Sequence, residues 1–224
     1  MRAAAALALL FALAATHAAG AGGVRLPAGV YTPFLRLKAQ NGGAAETVAV
    51  RSFLLDAEPV TNAEFLDFVA AHAQWRRSQI KHLFADAKYL RRWRGDLELA
   101  DEAARSEPVT NISWFAAQAY CRAQGKRLPT TAQWEYALAD AGRAQDHARN
   151  VSLAWLAAPN ADRTGPVGRQ APNGYGVRDM VGLVWEWTLD FDAYATAAES
   201  RDPNGKDSGF VCGAAAAGAT DPRD

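Results

Sequence analysis

Between Pro159 and Gly176 a proline or a glycine recurs every few residues, at Pro159, Gly165, Pro166, Gly168, Pro172, Gly174 and Gly176. Proline has no amide hydrogen to give to a helix or a ladder, and glycine loses much conformational freedom in either, so no long regular element fits this stretch. With seven Trp and 18 Gly in 224 residues, the expectation is a loop-rich fold in which aromatic side chains pin irregular backbone. Half of the residues are hydrophobic, enough to fill one core, which excludes a disordered or fibrous chain. The length suits one domain.

Lys and Arg together number 24, balanced by 24 Asp and Glu, so no global field recruits nucleic acid or an acidic membrane. Met1-Arg2 is a short positive start, and 3–15 is an unbroken apolar run containing Leu7, Leu9, Leu10, Phe11 and Leu13. That layout predicts a secretory signal over 1–21, with small residues at Thr16-His17-Ala18 and Ala19-Gly20-Ala21 for the peptidase. The competing reading, a membrane anchor, needs about 20 apolar residues, and the run stops at Thr16-His17. The expected mature chain, 22–224, is therefore periplasmic or secreted and not held in a membrane. Its richness in Ala points to a bacterial periplasm rather than an endoplasmic reticulum.

Cys121 and Cys212 could pair with each other, pair with another chain, or stay as functional thiols. The histidines left after cleavage, His72, His82 and His147, have no HxxxH or HExxH spacing, which argues against a histidine-built zinc or iron site. No GxGxxG, GxxxxGK[ST] or GxSxG occurs, so nucleotide-binding and serine hydrolase readings lose their usual support.

Residues 30–34 and 48–55 lean towards strands, the second carrying Val48, Val50, Phe53 and Leu55. Thr61-Asn-Ala-Glu64 fits a capping box, with Phe65, Phe68 and Val69 at helical spacing behind it, predicting a helix over 61–71. Ser113 can cap a second helix in which Trp114, Ala117, Tyr120 and Cys121 share a face, burying Cys121, and Gly125 can end it in a left-handed turn. Thr130-Thr-Ala-Gln133 opens a third, carrying Trp134 and Ala137. The basic and aromatic stretch 75–96 reads as a solvated, partly helical excursion that could line a groove for an extended peptide. Trp134, Trp185 and Trp187 read as core packing.

Four blocks carry a specific resemblance. They are Glu58-Pro-Val-Thr-Asn-Ala-Glu-Phe65, Glu107-Pro-Val-Thr-Asn-Ile-Ser-Trp114, Gly125-Lys-Arg-Leu-Pro-Thr-Thr-Ala-Gln-Trp-Glu-Tyr-Ala137 and Pro172-Asn-Gly-Tyr-Gly-Val-Arg-Asp-Met-Val-Gly-Leu-Val-Trp-Glu-Trp-Thr188. In this order they closely resemble the formylglycine-generating enzyme, or sulfatase-modifying factor, family. The resemblance covers about 30–212 and implies a single α+β domain with a C-type-lectin-like core, low in regular secondary structure and held by buried Trp and calcium. It places one calcium on residues matching the Asp179 side chain, the Gly182 and Val184 carbonyls and the Glu186 carboxylate. Such a set suits a hard cation, which takes oxygen ligands that a tight turn converges. Leu183 stands where relatives usually have Asn, at a position that is not a ligand. A second, weaker calcium site would begin at Asn150 and Val151, with Asp162 as a loose match for its acidic ligand. Asn111 and Asn150 also head glycosylation sequons, but both lie inside family blocks and read better as structural positions.

Active members of that family hold copper(I) on two cysteine thiolates and oxidise a sulfatase cysteine to formylglycine; soft sulfur ligands suit this ion. Cys212, in Gly209-Phe-Val-Cys212, matches the first of them and is the candidate catalytic and copper-binding residue. Ala217 stands where the second would be, and Gly209 replaces a Ser. The sequence reaches Asp224 without the Arg-rich closing strands of the family, and in many relatives the cysteine at the Cys121 position bonds to one in that tail. Two functions follow. One is a non-catalytic accessory or binding module acting in protein maturation for a protein or peptide partner, such as a periplasmic copper enzyme. The other is a copper-dependent oxidase making formylglycine.

Overall fold

Two short antiparallel strand pairs lie near the start of the described chain. The computed structural model describes residues 23–33, 47–140 and 164–190. Strand β1 (Gly23–Leu26) pairs with β4 (Phe53–Asp56), and β2 (Gly29–Tyr31) with β3 (Val48–Val50). The run 48–55, expected as one strand, is thus two with different partners. Alternation explains the break: Val48 and Val50 share one face, but Phe53 lies three residues on and would fall on the other face of an unbroken strand. Exposed Arg51 and Ser52 make the change of register, and β1 is a strand that the sequence pattern does not announce.

Three helices follow where the caps place them. Helix α1 (Asn62–Ala71) opens on a complete capping box: the Thr61 hydroxyl accepts from the Glu64 amide at 3.2 Å and the Glu64 carboxylate accepts from the Thr61 amide at 2.9 Å. Helix α2 (Trp114–Ala123) opens on Ser113 and ends at Gly125, whose φ of +68° is open to glycine without strain. There the Lys126 amide donates to the Cys121 carbonyl at 2.8 Å and the Gly125 amide to that of Arg122 at 3.0 Å, the paired bonds of a Schellman ending. Helix α3 (Thr131–Leu138) opens on the second capping box, Thr130 with Gln133.

The described core has two parts. The first packs Phe65, Phe68 and Val69 of α1 against Ala116 and Tyr120 of α2, and against Tyr89, Leu90 and Trp93. The Phe65 ring lies 5.7 Å from that of Tyr120 and 6.3 Å, edge on, from that of Trp93. The stretch 75–96 is therefore not the solvated excursion expected: its aromatics complete a core, and Arg76 closes a helix end. Arg76 donates to the carbonyls of Val69 at 3.1 Å and Ala70 at 2.9 Å, groups that the last turn of α1 leaves without a helical partner. Beyond the short 3₁₀ turn Ala73–Trp75 it holds turns rather than an α-helix. Cys121 is half-buried at the edge of this core rather than inside it, as a free thiol.

The second part joins Leu26, Tyr31 and Val50 of the strands to Tyr136 and Ala137 of α3, and receives Val177 and Met180 from the irregular segment 164–190. The described residues thus form one mixed α+β arrangement of helices and small sheets. No described helix is long and apolar enough to cross a membrane.

Candidate metal centre

The segment 164–190 contains no helix or strand, as its Gly and Pro content requires. Its shape comes from side chains bonding to backbone. Asp179 is 3% exposed and its φ is +55°, a left-handed conformation that Asp tolerates better than most residues. Its carboxylate accepts from the Gly168 amide and, at 3.1 Å, from the Gln170 amide. The Gln170 side-chain amide then donates to the Val181 carbonyl at 2.7 Å, and the Arg178 guanidinium to the Gln170 carbonyl at 2.7 Å. Gly168 takes a φ of +78°, which L side chains rarely adopt, and a Cβ there would lie 2.6 Å from Oε1 of Glu58 and force that side chain to shift.

The four positions expected to hold calcium, Asp179, Gly182, Val184 and Glu186, all fall in this loop. Glu186 is only half-buried as a residue, but its carboxyl end is enclosed. Burial pushes its pKa up to about 7; the Trp134 indole N–H, donating to Oε2 at 2.6 Å, opposes the rise, and the charge of Asp179 adds to it. The charge of Asp179 thus disfavours ionisation of Glu186, and a cation held by both side chains would offset that repulsion. Among the described residues the carbonyls of Gly182 and Val184 receive no hydrogen bond. Enclosed carboxylate, neighbouring acid and unclaimed carbonyls together fit a hard, oxygen-seeking cation. No group of three or more His, Cys, Asp or Glu side chains suited to a metal occurs among the described residues; the expected set has only two such side chains.

Asn150, Val151, Asp162, Cys212 and Ala217 lie outside the described residues, so the second calcium site and the copper position have no geometry in this structure. Among the described residues the thiol is that of Cys121, on α2. Burial, more than the nearby Asp56, pushes it up to about 11, away from the thiolate that a soft metal requires.

The expectation of core packing fails for Trp185, which is 52% exposed. It is incomplete for Trp134 and Trp187, which are half-buried and use their N–H groups: Trp187 donates to the Ile112 carbonyl at 2.9 Å. Trp114 donates likewise to the Thr188 carbonyl at 2.9 Å. Asp190, which no motif singled out, accepts from the Thr131 amide at 2.7 Å and its hydroxyl at 3.0 Å, fastening the loop to the start of α3. The ties made by Trp134 and Trp187 span 52 and 75 residues of chain, and no local spacing announces them.

The profile described as "Sulfatase-modifying factor enzyme 1-like domain" matches residues 11–221. The chain is similar to the formylglycine-generating enzyme of Bos taurus, at 30% identity over 233 residues covering 83% of this chain and 62% of that protein. It is similar to that of Streptomyces coelicolor at 32% identity, covering 73% of this chain and 66% of that protein. A third relative, the inactive C-alpha-formylglycine-generating enzyme 2 of Bos taurus, is 30% identical over 65% of this chain and 62% of its own length. The chain thus spans just under two thirds of the length of the bovine relatives it matches.

Proposed function

Because the chain belongs to the sulfatase-modifying factor family, we propose that it serves protein maturation in a periplasmic or secreted setting as a non-catalytic accessory module. Its scaffold adopts the C-type-lectin-like arrangement and offers a surface to a protein or peptide partner. Calcium stabilises that scaffold, held by the Asp179 and Glu186 carboxylates and the Gly182 and Val184 carbonyls. The ion supplies charge neutralisation for two enclosed acids and rigidity for a loop without a hydrogen-bond ladder.

The observation that carries the non-catalytic reading is Ala217. A copper(I) site on two thiolates needs two soft sulfurs, and an alanine stands where the family's second cysteine would be. The one described thiol, Cys121, does not make good the loss: it is half-buried on α2 and its pKa is raised. That one relative carries the name of an inactive formylglycine-generating enzyme supports a non-catalytic role on such a scaffold.

The second reading, a copper-dependent oxidase that converts a sulfatase cysteine to formylglycine, is favoured by Cys212 within Gly209-Phe-Val-Cys212 and by the names of the other relatives. Copper(I) titration of the reduced protein against a competing chelator, with mass spectrometry of a cysteine-bearing sulfatase peptide in air, decides between them. The accessory reading expects neither stoichiometric binding nor conversion. Tight binding abolished by Cys212→Ser, together with conversion, would establish the oxidase.

A further inference from the structure

Glu186 is a flexible side chain on a segment that has no ladder to hold it, so something must fix its carboxylate if it is to serve a cation. Among the described residues one hydrogen bond reaches that carboxylate, from Nε1 of Trp134 to Oε2 at 2.6 Å. A bond from a neutral donor to a charged acceptor is among the stronger kinds, and the rigid indole has only two torsions to order.

The position of Trp134 is itself well determined. It lies in α3, whose N-terminus is fastened to the same loop just beyond Glu186, by the Leu189 amide donating to the Pro129 carbonyl at 2.8 Å and by Asp190 on Thr131. The indoles of Trp134, Trp187 and Trp114 therefore meet the chain at 186–188, but they do different things. Trp187 and Trp114 bond to backbone carbonyls and place the chain. Trp134 alone of the three bonds to a carboxylate in the expected ligand set.

We propose that Trp134 is the positioning residue of the calcium centre. Its N–H occupies Oε2 of Glu186 and leaves the other oxygen for the cation, so that the ligand is oriented before the ion arrives. Outer partners of this kind commonly change metal affinity ten- to a hundredfold. The inference rests on the calcium reading of the loop.

The test is calorimetric calcium titration of the chelator-stripped full chain, wild type beside Trp134→Phe, which keeps an aromatic ring and removes the N–H. Melting of both in chelator separates folding from binding, and Trp134→Tyr makes the same comparison if Trp134→Phe does not melt cooperatively. The expected result is a dissociation constant raised about tenfold or more, while Trp114→Phe, which loses a backbone-directed bond, shifts calcium affinity by less than about threefold. Wild-type affinity in a folded Trp134 variant would overturn the positioning role and leave the calcium reading standing. A folded wild type that binds no calcium would overturn both.

Discussion

Two regions of the described chain reach fixed structures by different physics. Within the turns of α1 and α2, backbone amides find their partners about four residues back, and apolar side chains at helical spacing close over Phe65, Phe68 and Tyr120. Along 164–190 there is no ladder, and shape depends on side-chain bonds within the segment and on bonds that leave it, to α3, to the residues before α2 and to Ala57, whose carbonyl accepts from the Arg178 amide at 2.7 Å. The first region is built mainly on apolar burial. The second gathers Asp179 and Glu186 on one loop, where the charge of Asp179 works against ionisation of Glu186. An irregular segment can be as specific as a helix, but its specificity is held in long-range polar contacts, each worth about 1 kcal/mol net and expensive to break when enclosed.

The largest effect expected is in the apolar region. Phe65 is fully buried, so Phe65→Ala should destabilise by about 3–5 kcal/mol in urea unfolding, with or without calcium. A loss that shrank in chelator would mean that the regions are not energetically distinct. Next is calcium itself. At a free concentration about a hundred times the dissociation constant, linkage gives about 2.7 kcal/mol of stabilisation, read as a drop in melting midpoint on chelation. An unchanged midpoint removes the ion from the comparison.

The two capping boxes sharpen it further. Thr61→Ala and Thr130→Ala should each cost about 1 kcal/mol, but only Thr130→Ala, on the helix that carries Trp134, should also weaken calcium binding. Equal calcium affinities in the two variants would show that α3 and the loop are not coupled. The smallest effect concerns Cys121. Its folded-state pKa of about 11 lies above the unfolded value of 9.0, so its contribution to stability is whole below pH 9.0 and is lost as the pH rises through 11. Alkylation of Cys121 at about pH 9 should accordingly be slow in native protein and fast in denaturant; similar rates would mean that the thiol is not shielded.

Legibility in the sequence follows the same division. The helix starts at Thr61, Ser113 and Thr130 and the end at Gly125 are legible because capping chemistry is local: donor, acceptor and the residue that must adopt positive φ all lie close together in the chain. The run 48–55 misleads because alternation within a strand cannot say which neighbour each half will find. The stretch 75–96 misleads because its charges dominate its composition, while its burial depends on α1 and α2 being present. The family blocks name Asp179, Gly182, Val184 and Glu186 as a set, but the donors to the two carboxylates, the Gly168 and Gln170 amides and the Trp134 indole, are not legible there.

The sequence by itself determined the caps, the absence of regular structure in 164–190, the family and the alanine at 217, since each rests on residue type and short spacing. Only the tertiary structure decided that Trp93 is core, that Trp185 is exposed, and that Trp134, 52 residues from Glu186, donates to its carboxylate. The reason is that burial and long-range hydrogen bonds are properties of pairs of segments, and neither member of a pair carries in its own sequence the address of the other.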